Sequence, residues 1–278
     1  MNSASPSAFG VVRSLATLAL ISALALSSTL LTACGGGSSG GSTPEAAVDA
    51  STTPAADADT GTDTGTETTP TESEVVVDVD EEGNTTVDSD ALTTALDAIA
   101  LGELSDEELT GLLLMREEEK LARDVYIALY DLHGLNVFNN ISNSEQTHTD
   151  AVLALLERYD IADPVGTNEL GVFTDQDLQM LYDTLVAAGT PSLMDALFVG
   201  AKIEELDIAD IERLKNEVVD NDDIVLVYDN LLMGSRNHLR AFDKQITNNG
   251  WTYEPEFITQ EQYDEIVTSD TERGPNGG

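Results

Sequence analysis

Positive charge is what this chain has least of. Twelve Lys and Arg stand against 52 Asp and Glu in 278 residues, a formal charge of −40 at pH 7. Between Arg13 and Arg116 there is no Lys or Arg at all. Phosphate binding needs the opposite sign, so nucleic acid is excluded as a partner. Cysteine is almost missing as well. Cys34 is the only one, which rules out an intramolecular disulfide and leaves stability to an apolar core or a metal.

That one cysteine is placed where it carries information. Apart from Arg13, the run Val11 to Leu31 is uncharged and rich in Leu and Ala, and it ends in Leu31-Thr32-Ala33-Cys34-Gly35. Residues 1–33 thus read as an export signal with small residues at the cleavage point. Gly and Ser follow instead of basic flanks, which argues against a retained membrane span. The Leu-Thr-Ala-Cys ending resembles the lipobox of bacterial lipoproteins. That resemblance implies a lipidated Cys34, a membrane partner, and a place in the exported bacterial cell envelope. Gly35, in place of an inner-membrane retention Asp, favours the outer membrane or cell surface. The plainer alternative is ordinary secretion with Cys34 left as a free thiol.

Residues 34–104 are dominated by Gly, Ser, Thr, Asp, Glu, Ala and Pro, with charge of one sign. Such composition is expected to give a disordered acidic linker. Glu74 to Asp80 has the alternation of a short strand, but no partner strand is evident nearby.

From Ser105 the pattern turns to long helices, and no strand is expected. Ser105 and Glu108 form a capping box before an apolar-periodic stretch to His133, with Gly134 as its stop. A second helix is expected from about 138 to 159. Thr174 with Asp177 would open a shorter helix, and Thr190-Pro191 the next one, running to about 218 with a break near Asp207. A last long helix spans about 222 to 247. Trp251, Tyr253, Phe257 and Tyr263 would pack a tail onto it, and 271–278 would be disordered. The fold class is all-α over 105–270. Four long helices with one long crossover, between the second and third, match the ferritin-like four-helix bundle.

The chemistry lies in the polar residues facing inward. Glu145 and His148 stand at i and i+3 on one helical face, the Glu-x-x-His spacing of metal-carboxylate bundles. A Ser142–Glu145 capping box at a late helix start is the structural alternative. On the first helix one apolar stripe passes through Glu119 and another through Glu118, so Glu119 is the first choice and Glu118 the second. Glu117 would pair with solvent or Lys120. On the third helix Glu204 and Asp207 form an oxygen-donor pair, unless Asp207 caps a new helix. On the last, His238 follows Leu231 and Leu232 at helical spacing. A lone inward His is commonly a hydrogen-bonded core residue, and it counts here because of the others. Carboxylate and imidazole donors without thiolate suit Fe or Mn, with Zn a further option.

The strings Arg116-Glu117-Glu118-Glu119-Lys120-Leu121-Ala122-Arg123-Asp124-Val125-Tyr126, Ser144 to His148, Gly200 to Ile208 and Gly234 to Phe242 are similar to those of the DUF2202 family, a domain placed among ferritin-like proteins. The resemblance covers about 112 to 266. It implies a ferritin-like bundle and a metal site but brings no reaction with it. In ferritin-like first helices a ligand Glu precedes a Tyr by seven residues, as Glu119 precedes Tyr126, which implies a tuning or redox role for Tyr126. Ser235 stands where such proteins repeat a Glu three residues before the His, and this weighs against a symmetric two-metal centre. Three readings follow: a redox-active metal domain, a structural or sequestering metal site, or a metal-free envelope interaction module.

Overall fold

The computed structural model describes residues 76–80 and 84–273. The signal segment, Cys34, the linker through 75 and the last residues 274–278 lie outside the described part. The order of elements is β1 (Val77–Val79), β2 (Thr85–Val87), α1 (Ser89–Ala98), α2 (Asp106–His133), α3 (Asn136–Arg158), α4 (Gln176–Gly189), α5 (Leu193–Glu217), α6 (Asp222–Asn248) and α7 (Gln260–Thr268). The described chain is predominantly helical. None of its helices is long and apolar enough to cross a membrane.

Two pairs of long helices make the core. α2 packs mainly on α3 and α5 mainly on α6, while α2 also meets α5 and α3 meets α6. α4 lies in the connection between α3 and α5 and rests on α2 and α5. Leu112, Met115, Leu129, Phe138, Leu155, Leu197, Ile211, Leu231 and Phe242 are fully buried between them. At about 1.5–3 kcal/mol for each large apolar side chain, this burial is the main term holding the bundle together.

The helix ends follow from local chemistry. Ser105 Oγ accepts from the Glu108 amide at 3.0 Å, and Glu108 Oε2 accepts from the Ser105 amide at 2.9 Å. The other oxygen of Glu108, Oε1, accepts from the amides of Asp220 and Asn221. Asn221 caps α6, so one carboxylate serves two helix starts. Burial pushes this carboxyl up, but the hydrogen-bond donors around it hold it below the ordinary glutamate range. Gly134 ends α2 at φ 67°, in the left-handed region that favours glycine.

Several expectations are corrected. The described part of the 74–80 segment does have a partner: β1 pairs antiparallel with β2, Val77 opposite Val87 and Val79 opposite Thr85. Val77, Val79 and Val87 turn inward and α1 follows with Leu92 and Leu96 buried, so residues 77–80 and 84–98 are ordered structure rather than solvated linker. α5 is unbroken at Asp207, and its cap is Ser192, whose Oγ accepts from Asp195 N at 3.1 Å, with Pro191 outside the helix. α4 is capped by Asp175, not Thr174. α3 begins at Asn136, which puts Ser142 and Glu145 in its interior and removes the capping-box alternative.

The tail also differs from expectation. Tyr253 and Tyr263 are buried, whereas Trp251 is 57% exposed, its ring edge on Phe198. Beyond α7, Glu272 is bound by Arg236 and Arg240, each within 2.7 Å of one of its oxygens, so 271–273 belong to the fold.

Candidate metal centre

The four long helices deliver their polar residues to one interior region. α2 brings Glu118, Glu119 and Tyr126; α3 brings Glu145 and His148; α5 brings Glu204 and Asp207; α6 brings His238. Every one of them is buried to within 1%. The i, i+3 spacing stacks Glu145 and His148 so that His148 Nδ1 lies 2.8 Å from Glu145 Oε2. Across the helix pair, His238 Nδ1 lies 2.9 Å from Glu145 Oε1. The two imidazoles stack at 5.4 Å between centroids. Glu145, His148 and His238 each offer a ligand atom within 4.8 Å of the others, an arrangement able to hold a metal ion.

Two more carboxylates flank this triad. Glu119 Oε2 is 3.4 Å from His148 Nδ1, and Glu204 Oε2 is 3.5 Å from His238 Nδ1. Tyr126 Oη donates to Glu204 Oε1 at 2.5 Å and reaches the Gly200 carbonyl at 3.3 Å. The Tyr126 ring is locked against Phe138 and Phe242. Glu118 and Asp207 lie beside the cluster without joining the triad; Asp210 is the charge that Glu118 feels most.

The polar atoms are poorly satisfied. Neither oxygen of Glu118, Glu119 or Asp207, nor either ring nitrogen of His238, has a hydrogen bond of acceptable geometry, and His148 Nε2 has none either. The His238–Glu145 contact is close but misaligned. Buried polar groups are ordinarily bonded, and buried charges are paired or bound to metal. Among the described residues no Lys or Arg forms an ion pair with Glu119, Glu145, Glu204 or Asp207. Lys120 goes to Asp124, Arg123 to Asp124 and Gln146, and Arg236 and Arg240 to Glu272.

The electrostatics reflect that isolation. Burial pushes Glu119 and Glu204 up to about 7, against the opposing pull of His148 and His238 respectively. Burial and neighbouring carboxylates drive Asp207 and Glu118 well above the ordinary range. Glu145 goes the other way: burial would raise it, but the two imidazoles hold it well below. Those imidazoles, despite burial that disfavours their charge, are raised by the surrounding carboxylates to about 10 for His148 and about 9 for His238.

The sequence-predicted residues thus share one interior, with two qualifications. Ser235 supplies no carboxylate; its hydroxyl bonds back to the Leu231 carbonyl at 3.1 Å. Glu117, expected to face solvent or Lys120, is buried and accepts from the amides of Thr174 (2.5 Å) and Asp175 (3.0 Å), fixing the start of α4. Lys120 contributes only a favourable field there. Missed entirely was Gly234. A Cβ built there would stand 2.3 Å from His148 Cε1, so the imidazole occupies the space of the absent side chain.

Comparison with known proteins agrees over this part of the chain. The model of DUF2202, described as an uncharacterized protein domain, matches residues 108–270. Uncharacterized protein MJ0754 of Methanocaldococcus jannaschii is 54% identical over 173 residues, spanning 62% of this chain and 93% of that protein. The crystal structure of hypothetical protein MJ0754 superimposes with a TM-score of 0.61 at 52% identity, covering 63% of this chain and 99% of the other. β1, β2, α1 and Glu272 lie outside the residues that the family model matches.

Proposed function

The chain belongs to the DUF2202 family, and we propose that its buried carboxylate–histidine cluster is a transition-metal site in a ferritin-like four-helix bundle. One observation carries this reading. Two histidines and a glutamate converge within ligating distance, while the flanking Glu119 and Glu204 have no Lys or Arg paired with them among the described residues. Glu145, His148 and His238 would hold the ion, with Glu119 and Glu204 as further oxygen donors. This nitrogen and oxygen set without sulfur suits Fe or Mn, and Zn less specifically. Such an ion would supply Lewis acidity and, for Fe or Mn, one-electron redox capacity.

The protein's own part is positional. Tyr126 fixes the Glu204 carboxylate, and Phe138 and Phe242 keep Tyr126 in place. Fully buried apolar side chains on all four long helices keep bulk water out. The metal-free interaction module is less favoured, because the nearby Lys and Arg are engaged elsewhere and leave Glu119, Glu145, Glu204 and Asp207 without a Lys or Arg partner.

Elemental mass spectrometry on the mature chain, purified without chelator, tests the proposal. Iron or manganese at about one to two ions per chain is expected, and its loss in Glu145→Ala/His148→Ala. No Fe, Mn or Zn in the wild type, even after reconstitution with each, would overturn it.

We further propose that Cys34 is lipidated and tethers this domain in the bacterial envelope. More than one acyl chain on that residue would be needed for stable anchoring. Cys34→Ser is expected to move the protein from the membrane fraction to the soluble one. An unchanged distribution would rule the anchor out.

A further inference from the structure

The residue before each member of the triad makes a bond to the same short strand. Ser144 precedes Glu145, Thr147 precedes His148 and Asn237 precedes His238. The Thr85 amide donates to Ser144 Oγ at 3.2 Å and the Val87 amide to Thr147 Oγ1 at 3.0 Å. Asn237 Nδ2 donates to Thr85 Oγ1 at 3.3 Å. Consecutive helical residues lie about 100° apart around the axis. Side chains one position before the ligands can therefore face a strand while the ligands face the interior. β2 spans α3 and α6, the two helices that supply the whole triad.

The far end of the described chain closes the same seam. Asn237 Oδ1 accepts from the Glu272 amide at 2.9 Å and from Arg240 Nη1 at 2.8 Å, and Asn237 Nδ2 also donates to the Glu272 carbonyl at 3.0 Å. Arg273 reaches the Val79 carbonyl at 3.3 Å. Thr85, Ser144 and Asn237 are all buried to within 1%, so the Thr85–Ser144 and Asn237–Thr85 bonds are made out of water. A dry bond that is broken leaves a desolvated donor or acceptor, which makes the register they set costly to change. Both segments lie outside the residues matched by the family model, yet they grip the helices directly behind the triad.

We propose that β2, with Thr85 and Asn237 as its positioning residues, is a splint that fixes α3 against α6 and thereby sets the geometry and metal retention of the Glu145–His148–His238 centre. This rests on the metal reading given above. An ion bound by Glu145 and His148 on one helix and His238 on the other is released when those helices part. The splint opposes that parting, and it keeps the imidazoles at the separation that Glu145 bridges.

The test uses the full mature chain loaded with Co(II), whose visible ligand-field bands report coordination geometry. Thr85→Val removes the hydroxyl and keeps the shape, Thr85→Ser keeps the hydroxyl, and Asn237→Ala removes the crossing point. Leu185→Ala, on α4, which contributes none of the cluster, controls for lost stability. Thr85→Val and Asn237→Ala are expected to shift the bands and weaken Co(II) binding about tenfold, the lower end of what outer-shell partners of metal ligands contribute. Thr85→Ser should resemble the wild type, and Leu185→Ala should lower Tm without moving the bands. Wild-type bands and affinity in both Thr85→Val and Asn237→Ala would overturn the splint, as would an equal shift in Leu185→Ala. A wild-type chain that takes up no metal overturns the metal reading and the splint with it. Metal binding indifferent to both Thr85→Val and Asn237→Ala overturns the splint alone.

Discussion

Gly234→Ala is expected to empty the proposed metal centre and destabilise the fold, although in an exposed helix the same change would stabilise by about 1 kcal/mol. The sign reverses because of what the methyl group meets. It would lie 2.3 Å from Cε1 and 2.5 Å from Nε2 of His148. Those atoms belong to a ring wholly buried between α3 and α6, stacked on His238 and held by Glu145. Either the ring leaves its rotamer or α6 moves away from α3. Overpacking of this kind costs about 1–3 kcal/mol, and both escapes pull a ligand nitrogen off the cluster. Metal content by elemental analysis should fall at least about tenfold, the scale on which misplaced ligands act, and Tm should fall with it. Gly189→Ala is the contrast. Its methyl would stand 2.7 Å from Leu129 Cδ2, away from the triad, so it should lower Tm and keep the metal. Equal metal in Gly234→Ala and wild type would contradict this account of the centre.

The parts of the fold that were legible are those written in local signals. The Ser105–Glu108 box, the Gly134 stop and the 3.6-residue stripes define α2, α3, α5 and α6 without tertiary information. Glu145 and His148 were legible for the same reason, since i and i+3 on a helix always share a face. The three consecutive glutamates show where local pattern ends. All are buried, but Glu117 serves the α4 start, Glu118 lies near Asp210, and Glu119 meets His148. A helix wheel assigns one face to the core. Here the crossover carrying α4 covers another face of α2, which no wheel anticipates. β2 was invisible for a different reason. Thr85-Thr86-Val87 has a single strong apolar residue, and its binding energy comes from α3 and α6, distant in sequence. Thr85 and Asn237 were likewise missed, because a Thr in an acidic stretch and an Asn beside a His give no periodic signal.

Removing one carboxylate away from the cluster is expected to have the largest effect on stability. Asp124 is fully buried on α2, and both of its carboxylate oxygens are bonded. Its oxygens accept from Lys120 Nζ at 2.5 Å, from Arg123 Nε and Nη2 at 2.8 and 2.6 Å, and from the Gly171 amide at 2.8 Å. Lys120 is just as buried. Its other neighbours are the Glu169 carbonyl at 3.1 Å and the Phe173 ring, 4.3 Å from Nζ to the centroid. Asp124→Ala therefore strands a buried ammonium and unties the crossover from α2 in one change. Breaking a buried pair from one side costs about 3–5 kcal/mol, because the remaining charge is uncompensated. That is a large share of the roughly 5–15 kcal/mol that holds a domain folded. Lys120→Met costs less, since Asp124 still has Arg123 and Gly171. In a double-mutant cycle, Lys120→Met/Asp124→Ala should be less destabilised than the sum of the single changes, the stranded charge having gone. Urea unfolding of the four proteins measures this directly. Additive losses would mean that Lys120 and Asp124 do not depend on each other. Metal per folded chain should stay at the wild-type value throughout, because Asp124 spends its hydrogen bonds on Lys120, Arg123 and Gly171 and none on the ligands.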